Sequence, residues 1–487
     1  MTEPVIAARL DARALQDRLA SPGELAVLDV REAGRAFDRH LLFSSAAPVG
    51  RLGLLIDRLV PRRTTPIVLV DERGAPDGEA ELAAAALARF GYGDVRVLAG
   101  GVDAWAAAGH EIFSGTNVPS KAFGEIVEHA LDTPNIDAAT LAALQAQGAD
   151  LVVLDSRPFD EFRRMSIPGA LDCPGVELLY RALDAAPSPD TLIVVNCAGR
   201  TRSIIGAQSL INAGVPNPVA ALTGGSMAWL LEGLTLEHGA IRHAPRPSDA
   251  ALAAARALAA TLAERAQVPS IDAAQLQRFE AEQGTRTLYR FDVRDPAEYA
   301  AGHAPGWRHA AGGQLVQATD DYVGTRGARI VLTDTDGVRA RLTASWLRQL
   351  GGYEVYVIDR APDALVEIGP EPLRVLRGPE PIDWIEPSAL QARLDAAGTV
   401  VIDVDDSLAF RRAHVRGARF VAASDVPAYV QGLPADTAVV LTSRDGVLAS
   451  LVAQRTRAVD AGAPARELGV LLGGTPPWLA LGLRAAP

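Results

Sequence analysis

An apolar run ending in aspartate occurs four times along the chain: AVLDVR at Asp29, LVVLDSR at Asp155, LYRFDVR at Asp292 and VVIDVDD at Asp403. Repetition at a near-constant interval marks one supersecondary unit copied in tandem, and it restricts the fold before any local propensity is weighed. A second apolar run follows each aspartate, as PIVLVDERG, LIVVNCAGR, RIVLTDTDG and AVVLTSRDG. The residue closing that run stands 42 positions after the aspartate in the first three repeats and 40 in the fourth. Three repeats place an arginine two positions after the aspartate (Arg31, Arg157, Arg294), and an aromatic follows in all four (Phe37, Phe162, Tyr299, Phe410). Gly-Gly followed by Trp closes three of them, at Gly100-Gly101 with Trp105, Gly224-Gly225 with Trp229 and Gly473-Gly474 with Trp478; the third repeat lacks it.

The apolar runs are four to six residues long, partly β-branched and not amphipathic, which suits strands buried on both faces. Ala/Leu segments with helical periodicity lie between them, such as ELAAAALARFGYG and RSIIGAQSLINAGV, each ending at a glycine fit for a helix C-terminus. Strands alternating with helices specify a parallel sheet covered on both faces. The expected fold class is therefore α/β, with four tandem domains, each a small doubly wound parallel sheet flanked by helices. Their boundaries fall at 1–115, 130–240, 268–365 and 381–487.

Pro-rich stretches at 243–249 and 367–381 read as linkers. Ser248 is placed to cap a helix through DAALAAARALAATLAERA, with Leu252, Leu258 and Leu262 on one face, packed between the second and third repeats. The short connection over about 114–133 implies that the first and second repeats form one compact body.

Composition narrows the function. Lys+Arg number 47 and Asp+Glu 59, a net charge of −12 that argues against a nucleic-acid or anionic-membrane partner. The N-terminus lacks the pattern of a secretory signal, and no apolar stretch reaches the ~20 residues of a membrane helix. Two cysteines, Cys173 and Cys197, exclude a disulfide framework and point to a reduced, cytoplasmic setting. The eight histidines show no metal-ligand spacing, so no metal and no cofactor is expected.

At the end of the second run the repeats carry Asp71, Cys197, Asp334 and Ser443, so a thiol occurs there once. Cys197 ends a buried strand and opens Cys197-Ala198-Gly199-Arg200-Thr201-Arg202-Ser203, after which a helix begins. Ligands of α/β sheets bind at the carboxyl ends of strands, where the next helix offers unpaired N–H groups. A free thiol is only a few per cent thiolate at neutral pH. A helix N-terminus favours an anion by ~0.3–2 kcal/mol and adjacent arginines add to it, so this setting favours a nucleophile over the inert buried cysteine that is the common alternative. Arg200 and Arg202 are expected to bind an anion. Cys173 reads as a small residue filling a gap, with a resolving thiol as the alternative, and Trp229 reads as core.

These motifs resemble the rhodanese family of sulfurtransferases over nearly the whole chain: the Asp-x-Arg after the first strand, SIPGALDCP at 166–174, the CAGRTRS loop and the Gly-Gly-x-x-x-Trp helix. The four repeats with one cysteine loop are similar to multidomain bacterial thiosulfate sulfurtransferases. The resemblance implies that Cys197 takes a sulfane sulfur from a small anionic donor and passes it as a persulfide to cyanide or a thiol. It makes Ala198 through Ser203 the cradle of that sulfur, and Asp155 and Arg157 the residues that hold the loop. Ser166 stands where the family often has His, and Gly199 lies two rather than three residues after the cysteine. With two arginines in the loop, dianionic thiosulfate is expected to be preferred to mercaptopyruvate. The alternatives are a non-catalytic persulfide carrier or scaffold, and a cysteine phosphatase; the latter's loop has one residue more between Cys and Arg. A carboxylate or hydroxyl cannot carry sulfur as a thiol does, so the Asp71, Asp334 and Ser443 repeats read as structural or regulatory.

Overall fold

The computed structural model describes residues 7–76, 78–359, 365–372, 374, 376, 382–396, 398–459 and 466–482. Part of the expected linker at 367–381, and the ends of the first, third and fourth repeats as bounded above, lie outside the described residues.

The second repeat, which carries the cysteine loop, folds as α1 (Val118–Leu131), β1 (Asn135–Ile136), β2 (Leu151–Asp155), α2 (Phe159–Arg164), β3 (Leu171–Asp172), α3 (Glu177–Ala185), β4 (Leu192–Asn196), α4 (Thr201–Ala213), β5 (Val219–Leu222) and α5 (Gly225–Leu231). Its sheet runs β1-β5-β4-β2-β3, parallel throughout. Alternation along β4 explains why the run is apolar up to its last residue: Ile193 and Val195 enter one core with Leu178, Ile204 and Leu210, and Val194 enters another with Leu141, Phe162 and Trp229. Both faces are buried, so both sets of side chains must be apolar.

The other repeats build parallel sheets of the same plan. In the first domain Leu25–Asp29 lies between Ser45–Ala46 and Ile67–Val70, and Val95–Leu98 and Ala8–Leu10 follow outward. The third has four strands and the fourth five. Among the described residues the third has no closing helix, in keeping with its missing Gly-Gly-Trp.

The chain divides into two compact bodies, one of residues 1–116 and 373–487, the other of 117–372. This corrects the expected union of the first and second domains. The segment after the first domain forms α1, which packs on α4 of the second domain. The first domain pairs with the fourth because its helix Leu52–Leu59 is apolar on two sides: Leu52, Ile56 and Leu59 enter its own core, whereas Leu54 enters the core of Val426, Val430 and Leu448 in the fourth.

In the other body the second and third domains share one core. Helix Asp249–Arg265, capped by Ser248 as expected, packs on α3 and on Arg339–Leu350 of the third domain. Its buried stripe is Ala251, Ala255, Ala259 and Leu262; Leu252 and Leu258, expected on the packed face, are only partly buried. Gly175 lies against Gly313 at this junction, and Gly50 against Ala423 in the other body, so equivalent loops meet in both pairs.

Candidate active site

Cys197 follows β4 directly and is 2% exposed. Its Sγ donates to Ser203 Oγ at 3.5 Å, and that hydroxyl donates to the Arg200 carbonyl at 2.8 Å. The Ala198–Arg200 turn leads into α4, whose first residues are Thr201 and Arg202. The loop thus wraps the sulfur against a helix start, as the strand-loop-helix pattern requires.

The thiol-free domains display what this loop can hold. In the third domain Asp334 accepts the N–H groups of Gly337 and Ala340, both at 2.8 Å. In the fourth, the Ser443 hydroxyl accepts those of Gly446 at 3.1 Å and Ala449 at 3.3 Å. In the first, Asp71 accepts those of Gly74 and Ala80. The donors in the third and fourth domains lie three and six residues after the side chain they bind. In the second domain these positions are Arg200 and Ser203, whose N–H groups find no acceptor among the described residues.

The loop is anchored from its other side. Gly225, at φ 54°, brings the start of α5 onto the loop, where Ser226 N–H donates to the Cys197 carbonyl at 2.9 Å and Met227 N–H to that of Ala198 at 3.1 Å. The repeated Gly-Gly is thereby explained: a Cβ on Gly225 would collide with the Cys197 carbonyl. Val102 N–H binds the Asp71 carbonyl at 3.0 Å, and Thr475 N–H that of Ser443 at 2.9 Å, in the same way.

Asp155 and Arg157 are buried partners. Asp155 accepts from Arg157 Nε and Nη2, each at 2.8 Å, and from Asn196 Nδ2 at 2.7 Å; Arg157 also donates to the Met165 carbonyl at 2.6 Å. The same pair recurs at Asp29–Arg31 and Asp292–Arg294. In the fourth domain Asp405 replaces the arginine, and burial pushes the Asp403 carboxyl up to about 6.

The two loop arginines part: Arg202 lies within electrostatic reach of Cys197, whereas Arg200 turns toward α1. Arg200 is half-exposed and its guanidinium rests on Glu128 and Glu125 of α1. Arg202 makes a two-pronged pair with Glu161 of α2, each contact 2.9 Å. Burial opposes the Arg202 charge, but Glu161, with Cys197 and Asp155 beyond it, raises its proton affinity above the usual arginine value, and Glu161 is held below the usual carboxylate range despite its own burial. A guanidinium already bonded to a carboxylate has fewer donors left for an incoming anion.

Cys173 is fully buried in the core, and burial pushes its thiol well above the ordinary value. Trp229 is also core. Ser166 is fully buried; the corresponding residues elsewhere are His40, His303 and His414, each hydrogen-bonded through Nδ1 to a backbone carbonyl. Sequence reasoning missed Glu128, Glu161, Asn196 and Ser226. The available signal was Asn196, a polar residue ending an otherwise apolar run. Among the described residues no group of acidic, His or Cys side chains could hold a metal, and no helix is long and apolar enough to cross a membrane.

A family model described as the rhodanese-like domain matches residues 11–108, 137–232, 273–364 and 386–481. The chain is similar to a thiosulfate sulfurtransferase of known crystal structure from Pseudomonas aeruginosa, with 43% identity over 98% of this chain and 89% of that one and a TM-score of 0.90. Shorter matches include a protein of unknown function from Rhodopseudomonas palustris, described as a possible tyrosine phosphatase (29% identity, 24% of this chain, 93% of that one, TM-score 0.21). Another is a rhodanese-related protein from Thermoplasma volcanium (25% identity, 21% of this chain, 97% of that one, TM-score 0.19). Among curated proteins, nothing matches this sequence.

Proposed function

The chain belongs to the rhodanese family, and we propose that it is a thiosulfate sulfurtransferase whose sole sulfur carrier is Cys197. The observation that carries this reading is internal to the molecule. In the other three domains a carboxylate or hydroxyl at the Cys197 position accepts two loop N–H groups, so the loop is built to bind an electron-rich group, and only in the second domain is that group a nucleophile. The similarity to the Pseudomonas aeruginosa enzyme along nearly the full chain supports thiosulfate as donor.

The Cys197 thiolate attacks the outer sulfur of thiosulfate. The sulfur–sulfur bond breaks, sulfite leaves with its electron pair, and a Cys197 persulfide remains. Cyanide or a thiolate then attacks the terminal sulfur, forming thiocyanate or an acceptor persulfide and returning the Cys197 thiolate. The backbone N–H groups of Arg200 and Ser203 are the donors we assign to the persulfide anion, because their counterparts bind the side chains of Asp334 and Ser443. Hydrogen bonds to a charged acceptor contribute ~1.5–3 kcal/mol each, enough to favour the persulfide without a direct guanidinium contact. Ala198, Gly199 and Thr201 complete the turn, and Asp155 with Arg157 supports it from beneath. The chemistry needs no cofactor, and the two free thiols fit a reducing cytoplasm.

Intact-mass measurement tests the reading. Incubation with thiosulfate should add one sulfur atom, cyanide should remove it, and Cys197→Ser should never acquire it. Turnover by Cys197→Ser, or no mass gain by the wild type, would overturn the assignment. Hydrolysis of an aryl phosphate in its place would support a cysteine phosphatase.

A further inference from the structure

A buried polar relay joins the Asp155–Arg157 pair to the peptide of Cys197. Asn196 Nδ2 donates to Asp155 Oδ2 at 2.7 Å and contacts Ser226 Oγ at 3.2 Å, and that hydroxyl donates to the Cys197 carbonyl at 3.2 Å. Asp155, Asn196 and Ser226 are all at most 1% exposed. Asn196 Oδ1, also buried, has no partner among the described residues. An amide half-satisfied in an apolar sheet is a costly choice where valine would serve. The first domain makes the cheaper choice, with Val70 and Val102 at the two positions. The third has Thr333, which donates to the Ile358 carbonyl, and the fourth has Thr442 and Thr475, whose hydroxyls meet each other at 3.1 Å. The fourth also ties Thr475 directly to the Asp403 carboxyl, so what sets the thiol-bearing domain apart, among the described residues, is the asparagine between carboxylate and hydroxyl.

We infer that Asn196 and Ser226 are positioning residues for sulfur transfer, acting on the loop peptides rather than on the sulfur. In a trans peptide the C=O and the following N–H point in opposite directions. Fixing the Cys197 carbonyl through Ser226 therefore fixes the Ala198 N–H on the opposite side of the loop, away from α5. Met227 does the same for the next peptide through the Ala198 carbonyl. Every domain with the closing helix has the backbone bond to the first carbonyl; the second domain adds a hydroxyl bond to that same carbonyl, from a Ser226 held by Asn196 and, through it, by a buried carboxylate. Two donors on one carbonyl also polarise that peptide, which strengthens its N–H as a donor.

This inference rests on the sulfurtransferase reading, and the experiment separates the two. The rate of Cys197 persulfide formation from thiosulfate is followed by intact mass on the full chain, together with the thiosulfate KM, kcat and thermal melting. Asn196→Val, the residue of the first domain, and Ser226→Ala should each slow loading about 10- to 100-fold. KM should stay within about twofold of the wild-type value and the melting temperature should not fall in proportion. Ser226→Thr, which restores the hydroxyl and has its precedent in Thr475, should recover most of the rate. Loading at wild-type rate by Ser226→Ala overturns the inference, as does a loss that Ser226→Thr fails to recover. If Asn196→Val does not fold, the Ser226 pair decides alone. A wild type that acquires no sulfur overturns the sulfurtransferase reading, and this one with it.

Discussion

Replacing Gly225 with alanine tests whether the closing glycine pair serves the loop or merely the fold. The residue sits at φ 54°, where an L side chain costs ~1–2 kcal/mol. Its new Cβ would also stand 3.0 Å from the carbonyl carbons of Cys197 and Ala198, and closer still to the Cys197 oxygen, all backbone atoms that cannot swing aside. The relief available is to pull α5 off the loop, which breaks the Ser226 and Met227 bonds at ~0.5–1.5 kcal/mol each. The total is about 2–5 kcal/mol, local to the second domain. Gly101 supplies the control: at φ 58°, its Cβ would lie 2.6 Å from the Glu72 carbonyl carbon and 2.7 Å from the Arg73 nitrogen. Gly101→Ala should therefore destabilise its own domain by a similar amount. In a thiosulfate:cyanide assay at 25 °C, with folding monitored by circular dichroism, Gly225→Ala should lose turnover by about 100-fold or more. Gly101→Ala should lose stability but keep turnover within about threefold. Equal losses of turnover in both variants, or an active Gly225→Ala, would refute the view that this glycine shapes the catalytic loop.

Further outcomes follow from single side chains. Arg200→Ala should change kcat/KM for thiosulfate by less than ~1 kcal/mol, because its half-exposed guanidinium rests on Glu125 and Glu128; a direct donor contact would instead cost ~1.5–3 kcal/mol, read from side-by-side kinetics. Cys173→Ala should still load one sulfur by intact mass, since its thiol is fully buried and held protonated. Asp403 is pushed up to about 6 by burial, so the native fourth domain keeps a proton that the unfolded chain has lost. This contribution to stability rises as pH falls from about 6 toward 4, by up to ~3 kcal/mol. Asp405→Arg, which restores the Asp-x-Arg of the other domains, should abolish that acid gain in melting curves taken at pH 4.5 and 7.

The strands, their number and the cysteine loop were legible because buried parallel strands must be apolar on both faces and because four copies mark their own boundaries. Cys197 stood out since the three equivalent positions carry Asp71, Asp334 and Ser443. Side-chain partners were a different matter. Arg200 beside a thiol in sequence suggests anion binding, but a flexible cation goes to whichever carboxylate the fold places within reach, and Glu128 reaches the loop only through the packing of α1 on α4. Domain pairing was illegible for a related reason: Leu54 differs from its helical neighbours only in the direction it faces. Asn196 could have been noticed as the one polar residue in LIVVN, though not its tie to Ser226, thirty residues later.

The pairing of the first domain with the fourth, and of the second with the third, nests one partnership inside the other along the chain. On the ribosome, Gly50 emerges more than 370 residues ahead of its neighbour Ala423. At ~5–20 residues per second the first domain must wait on the order of 20 to 70 s for its mate. Throughout that interval Leu54 has no core to enter. Two nascent chains on one message are then able to exchange first domains, and the exchanged dimer would keep the contacts made within each body. Termination after residue 372 would leave the apolar side of the Leu52–Leu59 helix unmatched, and the truncated product should self-associate even with its second domain fully formed.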